Sequence, residues 1–250
     1  MNFLFIITLT YFSTCHCWAK KDERHDSICG LPKQLLESSS ISLEINKKGF
    51  HRELVTTVEF SPDVPSALKV LLVHRFPSGI YVDPYQLTSM SEHSLLQILL
   101  DSTIDLEMPA HKTMGFVALV YPTLDEKNPR LLKVTVPVHG RYHEPSVDGK
   151  MFASVTLEPP DLLLRANMCA QLYHSESHTI VDAPCTVDNL SMCQWIKIQP
   201  QQEQSHVSVQ IPVGDRSLVT FVCTGTLLIT MMCCVALSKI IWKHGDFKQE

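Results

Sequence analysis

The stretch LVTFVCTGTLLITMMCCVAL, residues 218–237, runs for twenty positions without a charged side chain. As a helix rising 1.5 Å per residue it is about 30 Å long, the thickness of a bilayer's hydrocarbon core. A helix satisfies its backbone polar groups internally, as lipid requires. A core helix of a globular domain would carry a polar stripe, and this run carries none. It therefore divides the chain into a predicted transmembrane segment (217–238), a short tail (239–250) and everything upstream. Lys239, Lys243 and Lys248 follow the run and Arg216 precedes it, a bias that predicts a cytosolic tail and an upstream domain on the opposite side. A lipid-anchor signal would end in its apolar stretch, whereas here the chain continues through SKIIWKHGDFKQE. Cys233 and Cys234, near the cytosolic end, fit either palmitoylation or small apolar packing.

A second apolar run, FLFIITLTYF at 3–12, is too short to span and is followed by small and polar residues. That matches the h-region of a secretory signal, about 7–15 residues long. The expectation is a signal peptide over 1–19, cleaved after Cys17 or Ala19. No Lys or Arg precedes the run, and the competing reading is an N-terminal core strand.

Residues 20–216 remain as a lumenal domain of ordinary size. The formal net charge of −5 is spread without long runs, and no basic patch points to nucleic acid. Four cysteines fall here: Cys29, Cys169, Cys185 and Cys193. An even number in a secreted context predicts two disulfides, for which three pairings are open. Cys185 and Cys193 are close enough to bridge across a local loop. No C-x₂-C pair suggests zinc. Asn189 opens an N-L-S glycosylation sequon in a loop-like segment.

Hydrophobic periodicity in this domain is mostly two. Residues 40–45, 51–60, 68–76, 115–122, 131–142, 151–160, 195–199 and 206–213 read as strands, β-branched, alternating and bounded by Pro, Gly, Asn or Asp. Turn signals lie between them at 61–66, 124–130 and 144–150. One helical patch is expected at 91–101, though its apolar residues would also suit a buried strand. Many short strands without a βαβ alternation predict an all-β fold: an antiparallel β-sandwich-like lumenal domain followed by a single C-terminal transmembrane α-helix.

Catalytic signatures are scarce. The chain has no D-x-D pair for a nucleotide-sugar metal, no H-E-x-x-H, no G-x-S-x-G and no phosphate-cradling glycine loop. Asp125 and Glu126 are adjacent but sit in a solvated turn. YHEP (142–145) and YHSESH (173–178) are the nearest acid–base or metal candidates, and both read better as solvated loops. The expectation is no catalytic residue, no metal and no cofactor.

Two stretches of similar texture remain, LLVHRFPSGIYVDPYQL (71–87) and VPVHGRYHEPS (136–146). The first reads as a strand entering a Pro-Ser-Gly turn, where Gly79 permits positive φ, and leaving as a second extended segment. Pro84 holds Asp83 out of the helical region. His74 and Arg75 would occupy opposite faces, and Tyr81 would share a face with Asp83. The plain reading is a hairpin with aromatic cross-strand pairs; the mixture of Tyr, Arg and Pro also suits a protein–protein contact.

In sequence, order and separation, these two stretches resemble the most recognisable segments of the PIG-X family, and the similarity extends over about 29–242. That resemblance implies a non-catalytic subunit of glycosylphosphatidylinositol (GPI) mannosyltransferase I in the endoplasmic reticulum membrane. That enzyme adds the first mannose, from dolichol-phosphate-mannose, to the GPI precursor. It further implies that a multi-span partner, PIG-M, carries the chemistry and is stabilised by this chain. Candidate partner-binding residues are then His74, Arg75, Tyr81, Asp83, Tyr85, His139, Arg141 and Tyr142. Thr224, Gly225 and Thr226 are candidates for close helix packing. Two other readings share the topology: a type I cell-surface adhesion or receptor ectodomain, and a stand-alone lumenal mannosyltransferase.

Overall fold

A computed structural model describes residues 27–28, 31–32, 35, 38–61, 64, 68–93, 96–125, 128–166, 179–199 and 206–244. The expected signal peptide, Cys29, Cys169, the 173–178 loop and the end of the tail lie outside these residues.

Two antiparallel sheets face each other. The first has the order β12–β13–β11–β5–β8–β7: Thr179–Pro184, Met192–Lys197, Asp161–Ala166, Leu68–Phe76, Phe116–Tyr121 and Gln97–Leu100. The second has the order β3–β4–β9–β6: Ser40–Asn46, His51–Glu59, Leu131–Gly140 and Ile80–Tyr81. A ribbon of β10 (Phe152–Leu157) and β14 (Val207–Pro212) lies beside β3. A short pair, β1 (Ser27–Ile28) and β2 (Leu31–Pro32), forms a two-stranded sheet.

The alternation in sequence produces the interior directly. Along β5, Leu68, Val70, Leu72, His74 and Phe76 are buried and face the other sheet, while Lys69 and Arg75 are exposed. Leu54 and Val58 of β4 and Leu132, Val134, Val136 and Val138 of β9 meet them in one continuous core. Each such side chain contributes about 1.5–3 kcal/mol when fully removed from water.

The six-stranded sheet also buries part of its outer face. Leu71, Tyr121, Leu163, Ala183 and Trp195 form a second cluster there. The Trp195 indole donates to the Ala183 carbonyl (3.2 Å), the Tyr121 hydroxyl donates to the Pro184 carbonyl (2.9 Å), and the Cys185–Cys193 disulfide closes the loop above.

Two local expectations are corrected. The segment after the Pro-Ser-Gly turn is extended only at Ile80–Tyr81; helix α1 (Pro84–His93) begins three residues later. Asp83 caps it, its Oδ1 accepting the Tyr85 N–H at 2.9 Å, and Pro84 occupies the first turn, where a missing N–H costs nothing. The helix expected at 91–101 therefore lies earlier, and residues 97–100 form edge strand β7. Strands β11 and β12 fell in segments with no strand expectation.

The charge-free run becomes helix α2 (Val219–His244), entered through a 3₁₀ turn at Arg216–Leu218. It is long and apolar enough to cross a membrane, and none of it is covered by the domain.

Candidate functional site: the edge where two sequence stretches meet

The stretches 71–87 and 136–146, remote in sequence, are hydrogen-bonded neighbours. Ile80 pairs with Gly140 and Tyr81 with His139 across β6 and β9, and the Arg141 N–H donates to the Gly79 carbonyl at 2.9 Å. The turn itself is closed by the Ile80 N–H on the Pro77 carbonyl, 3.1 Å. A Cβ at Gly79 would lie 2.6 Å from Val155 Cγ2 and 3.1 Å from His143 Nε2, so only glycine lets β10 and the 141–146 loop approach.

Around this pairing runs a ladder of rings and cations. His51 pairs with His139 in the β4–β9 register, their Nδ1 atoms 3.4 Å apart. The Tyr81 ring stacks on His139 at 5.0 Å, and the Arg141 guanidinium lies 4.8 Å from the Tyr81 ring centre. His139 Nε2 meets Gln86 Oε1 at 3.0 Å. With that oxygen as acceptor, His139 carries its proton on Nε2, and its Nδ1 accepts from His51. Burial, and then the neighbouring His51, hold the His139 pKa below the ordinary imidazole value, with Asp83 pulling weakly the other way.

Arg141 is 5 % exposed. Its Nη1 donates to the carbonyls of Asp105 (2.7 Å) and Met108 (2.6 Å), and the Tyr142 carbonyl accepts the Ala110 N–H at 2.9 Å. Arg141 therefore fastens the 101–112 loop to the sheet. Tyr142 points outward, 74 % exposed, with one side of its ring against Phe50 at 5.0 Å. Tyr85, on the first turn of α1, is 79 % exposed.

The candidate residues thus separate by location. Tyr81, His139, Arg141 and Tyr142 meet at this edge, and Asp83 and Tyr85 start the helix beside it. His74 does not reach this surface. It is 2 % exposed, inside the core, 3.5 Å from Thr56 Oγ1 and stacked on Phe76, and burial lowers its pKa to about 4. Arg75 lies on the outer face of the six-stranded sheet, where Asp161 bridges it (2.8 Å) and Lys197 (2.8 Å). Burial alone would raise the Asp161 pKa, yet these two cations hold it below the usual carboxylate value.

Sequence reasoning missed His51, Phe50 and Gln86. Their signal is the β4–β9 register, which places His51 opposite His139 and which no local pattern reveals. Among the described residues, no three His, Cys, Asp or Glu side chains converge as metal ligands.

In α2 the hydroxyls of Thr224 and Thr226 donate to the carbonyls of Thr220 (2.7 Å) and Val222 (2.9 Å), which satisfies them within the helix. A Cβ added at Gly225, between them, would meet nothing within 4 Å beyond the helix's own backbone among the described residues. Asn189 is exposed in the disulfide-closed loop; its Oδ1 accepts the Ser191 N–H at 3.0 Å.

Comparison with known proteins gives a consistent result. The sequence model of the PIG-X / PBN1 family matches residues 47–242. The chain is 33 % identical over 208 residues to the Homo sapiens protein named "GPI alpha-1,4-mannosyltransferase I, stabilizing subunit", covering 82 % of this chain and 80 % of that one. Proteins of the same name from Mus musculus (31 %, 82 % and 81 % covered) and Rattus norvegicus (30 %, 82 % of each) are similar to it over the same length.

Proposed function

The chain belongs to the PIG-X / PBN1 family, and we propose from that membership that it is the stabilising, non-catalytic subunit of a GPI mannosyltransferase I. In this reading the enzyme transfers the first mannose from dolichol-phosphate-mannose to the GPI precursor. The chemistry resides in a multi-span catalytic partner of the PIG-M type, in the endoplasmic reticulum membrane, with the β-domain on the lumenal side.

One structural observation carries the reading beyond the family name. The two stretches that mark the family sit side by side at one sheet edge, and their polar groups are engaged with one another. Tyr81, His139 and Arg141 are spent on architecture, and what the edge offers outward is the two tyrosines Tyr85 and Tyr142. Exposed tyrosine on a rigid frame suits protein recognition, because it contributes large amphipathic area at low entropic cost. A subunit that binds only the native partner stabilises it by mass action, so its loss lowers partner abundance rather than removing a catalytic group.

The test is a cell line lacking this chain. Catalytic-subunit abundance and surface GPI-anchored protein should both fall, and re-expression should restore both. Unchanged abundance of the catalytic subunit would overturn the stabilising role. Purified chain that transferred mannose without a partner would overturn the non-catalytic one.

A further inference from the structure

Most large apolar side chains of the β-domain are buried, but three exposed ones gather where the domain meets α2. Val147, Met151 and Phe152 are 79 %, 73 % and 50 % exposed. Val147 and Met151 belong to the loop that leads into β10, and Phe152 is the first residue of that strand; the loop is bound at both ends to the segment descending into the helix. The Ser146 N–H donates to the Gly214 carbonyl (2.7 Å), the Arg216 N–H to the Ser146 carbonyl (3.0 Å) and the Val213 N–H to the Met151 carbonyl (2.9 Å). Phe152 also pairs directly with Pro212, the last residue of β14.

The level of this loop relative to the bilayer follows from the helix. Asp215, bridged to Ser146, precedes the charge-free run by three residues. At the 3₁₀ rise of about 2 Å per residue the bridge stands roughly 6 Å above that run. The polar layer on each side of a bilayer is about 5–8 Å deep, so Ser146, with Val147 next to it, starts at headgroup depth. Met151 and Phe152 attach two to three residues farther along the chain from the helix, at Val213 and Pro212. Three exposed apolar side chains within six residues, in a loop fastened to the entry of a membrane-length helix, suit contact with lipid better than with water alone. Lys150, in the same loop, is exposed and paired with Asp148 at 2.7 Å, and Arg216, whose N–H holds the Ser146 carbonyl, is exposed. Cationic groups flanking apolar ones suit an interfacial anchor.

We propose that Val147, Met151 and Phe152 form a membrane-contacting foot that inserts into the headgroup layer next to α2. The domain is then held at two points, helix and foot, which fixes its orientation and presents the Tyr81–His139 edge at a defined height. The proposal rests on α2 crossing the bilayer.

The experiment uses the full chain in phosphatidylcholine vesicles with Trp18 and Trp242 changed to Phe. Trp195, fully buried, remains as a constant emitter. Single Trp substitutions are introduced as Val147→Trp and Met151→Trp, with two controls. Met192→Trp places the same ring at an exposed position at the far end of β13 from Lys197. Ser78, of the turn ending β5, shares a cleft with Phe152 and Val213, and Lys197 lies toward that turn, so Met192 is remote from the foot. Leu228→Trp reports on the middle of α2.

Lipids brominated near the headgroup should quench Val147→Trp and Met151→Trp more than lipids brominated at the chain end. Leu228→Trp should show the reverse order, and Met192→Trp should be quenched by neither. Quenching at Leu228→Trp without quenching at either foot position would overturn the foot and leave the spanning helix standing; the three side chains would then be covered by protein. Absence of quenching at Leu228→Trp would overturn the spanning helix and the foot together. Equal quenching at Met192→Trp would show that tryptophan itself draws the domain down, and would also overturn the proposal.

Discussion

Tyr81 and His139 face each other across the β6–β9 pair with their rings 5.0 Å apart and 19° from parallel, and Arg141 lies over the same tyrosine. The contact joins two residues more than fifty positions apart, and Arg141, over the same tyrosine, ties the 101–112 loop to it. Replacing Arg141 by Ala removes two charge-assisted hydrogen bonds and a cation–π contact, and is expected to cost about 2–3 kcal/mol. Arg141→Lys should recover only part, since an ammonium lacks the planar face that lies against Tyr81. Thermal unfolding of the two variants checks the order: Ala least stable, Lys intermediate.

The buried His74 makes acid the weak side of the fold. Its pKa is about 4 in the folded chain against 6.5 for an ordinary imidazole, because burial disfavours the charged ring. Below pH 6.5 the unfolded chain takes up a proton that the folded chain refuses, so stability is complete above 6.5 and declines as pH falls toward 4. The gap corresponds to roughly 3 kcal/mol. His139, lowered in the same direction, adds to the decline. Denaturant unfolding followed by Trp195 emission should show the midpoint falling between pH 7 and 4.5. His74→Phe should flatten that slope while costing about 1 kcal/mol at pH 7, where Thr56 loses its partner.

These two residues also show what could be read without coordinates. The alternation in LKVLLVHRF put His74 and Arg75 on opposite faces. That assignment holds at this end of β5, where the outer face is open at Arg75, although residues 70–72 are buried on both faces. The same rule failed at β11, where Leu162, Leu163 and Leu164 form an unbroken apolar run. Leu162 and Leu164 enter the main core while Leu163 enters the outer cluster, so a strand buried on both faces loses its period of two. The helix start at Pro84 was missed for a local reason. A proline that keeps the preceding Asp out of the helical region suits a continuing extended segment, but it suits equally a cap followed by a first-turn proline. His51 lay beyond sequence reasoning altogether, since its place opposite His139 is set by strand pairing.

The outer cluster has its own fastening. Trp195→Ala is expected to cost about 3–5 kcal/mol by opening a cavity above Leu71 and Leu163. The Cys185–Cys193 bridge closes a short loop, and replacing both cysteines by Ser should cost about 2–3 kcal/mol through the freedom regained by the unfolded chain. Non-reducing peptide mapping should recover 185 and 193 in one cross-linked peptide. In the same loop Asn189 is exposed, and Asn189→Gln should abolish any endoglycosidase-sensitive mobility shift without lowering the unfolding midpoint.

The proposed recognition edge makes the last prediction. Tyr85 and Tyr142 project from it and hold little of the fold together: Tyr85 caps no contact in the core, and Tyr142 touches Phe50 with one side of its ring. Tyr85→Ala with Tyr142→Ala should therefore lower the stability of the fold by less than about 1 kcal/mol. In cells lacking the native chain, the double variant should nevertheless fail to restore catalytic-subunit abundance, because truncating central aromatic contacts commonly costs 2 kcal/mol or more, roughly thirtyfold in affinity. Arg75→Ala, on the outer face and engaged with Asp161, should restore abundance as the native chain does. Quantitative immunoblotting of the catalytic subunit beside a thermal-shift measurement separates the outcomes. Full rescue by the double variant would move the contact away from this edge. Rescue lost with Arg75→Ala but kept with the tyrosine pair changed would place it on the outer face of the six-stranded sheet.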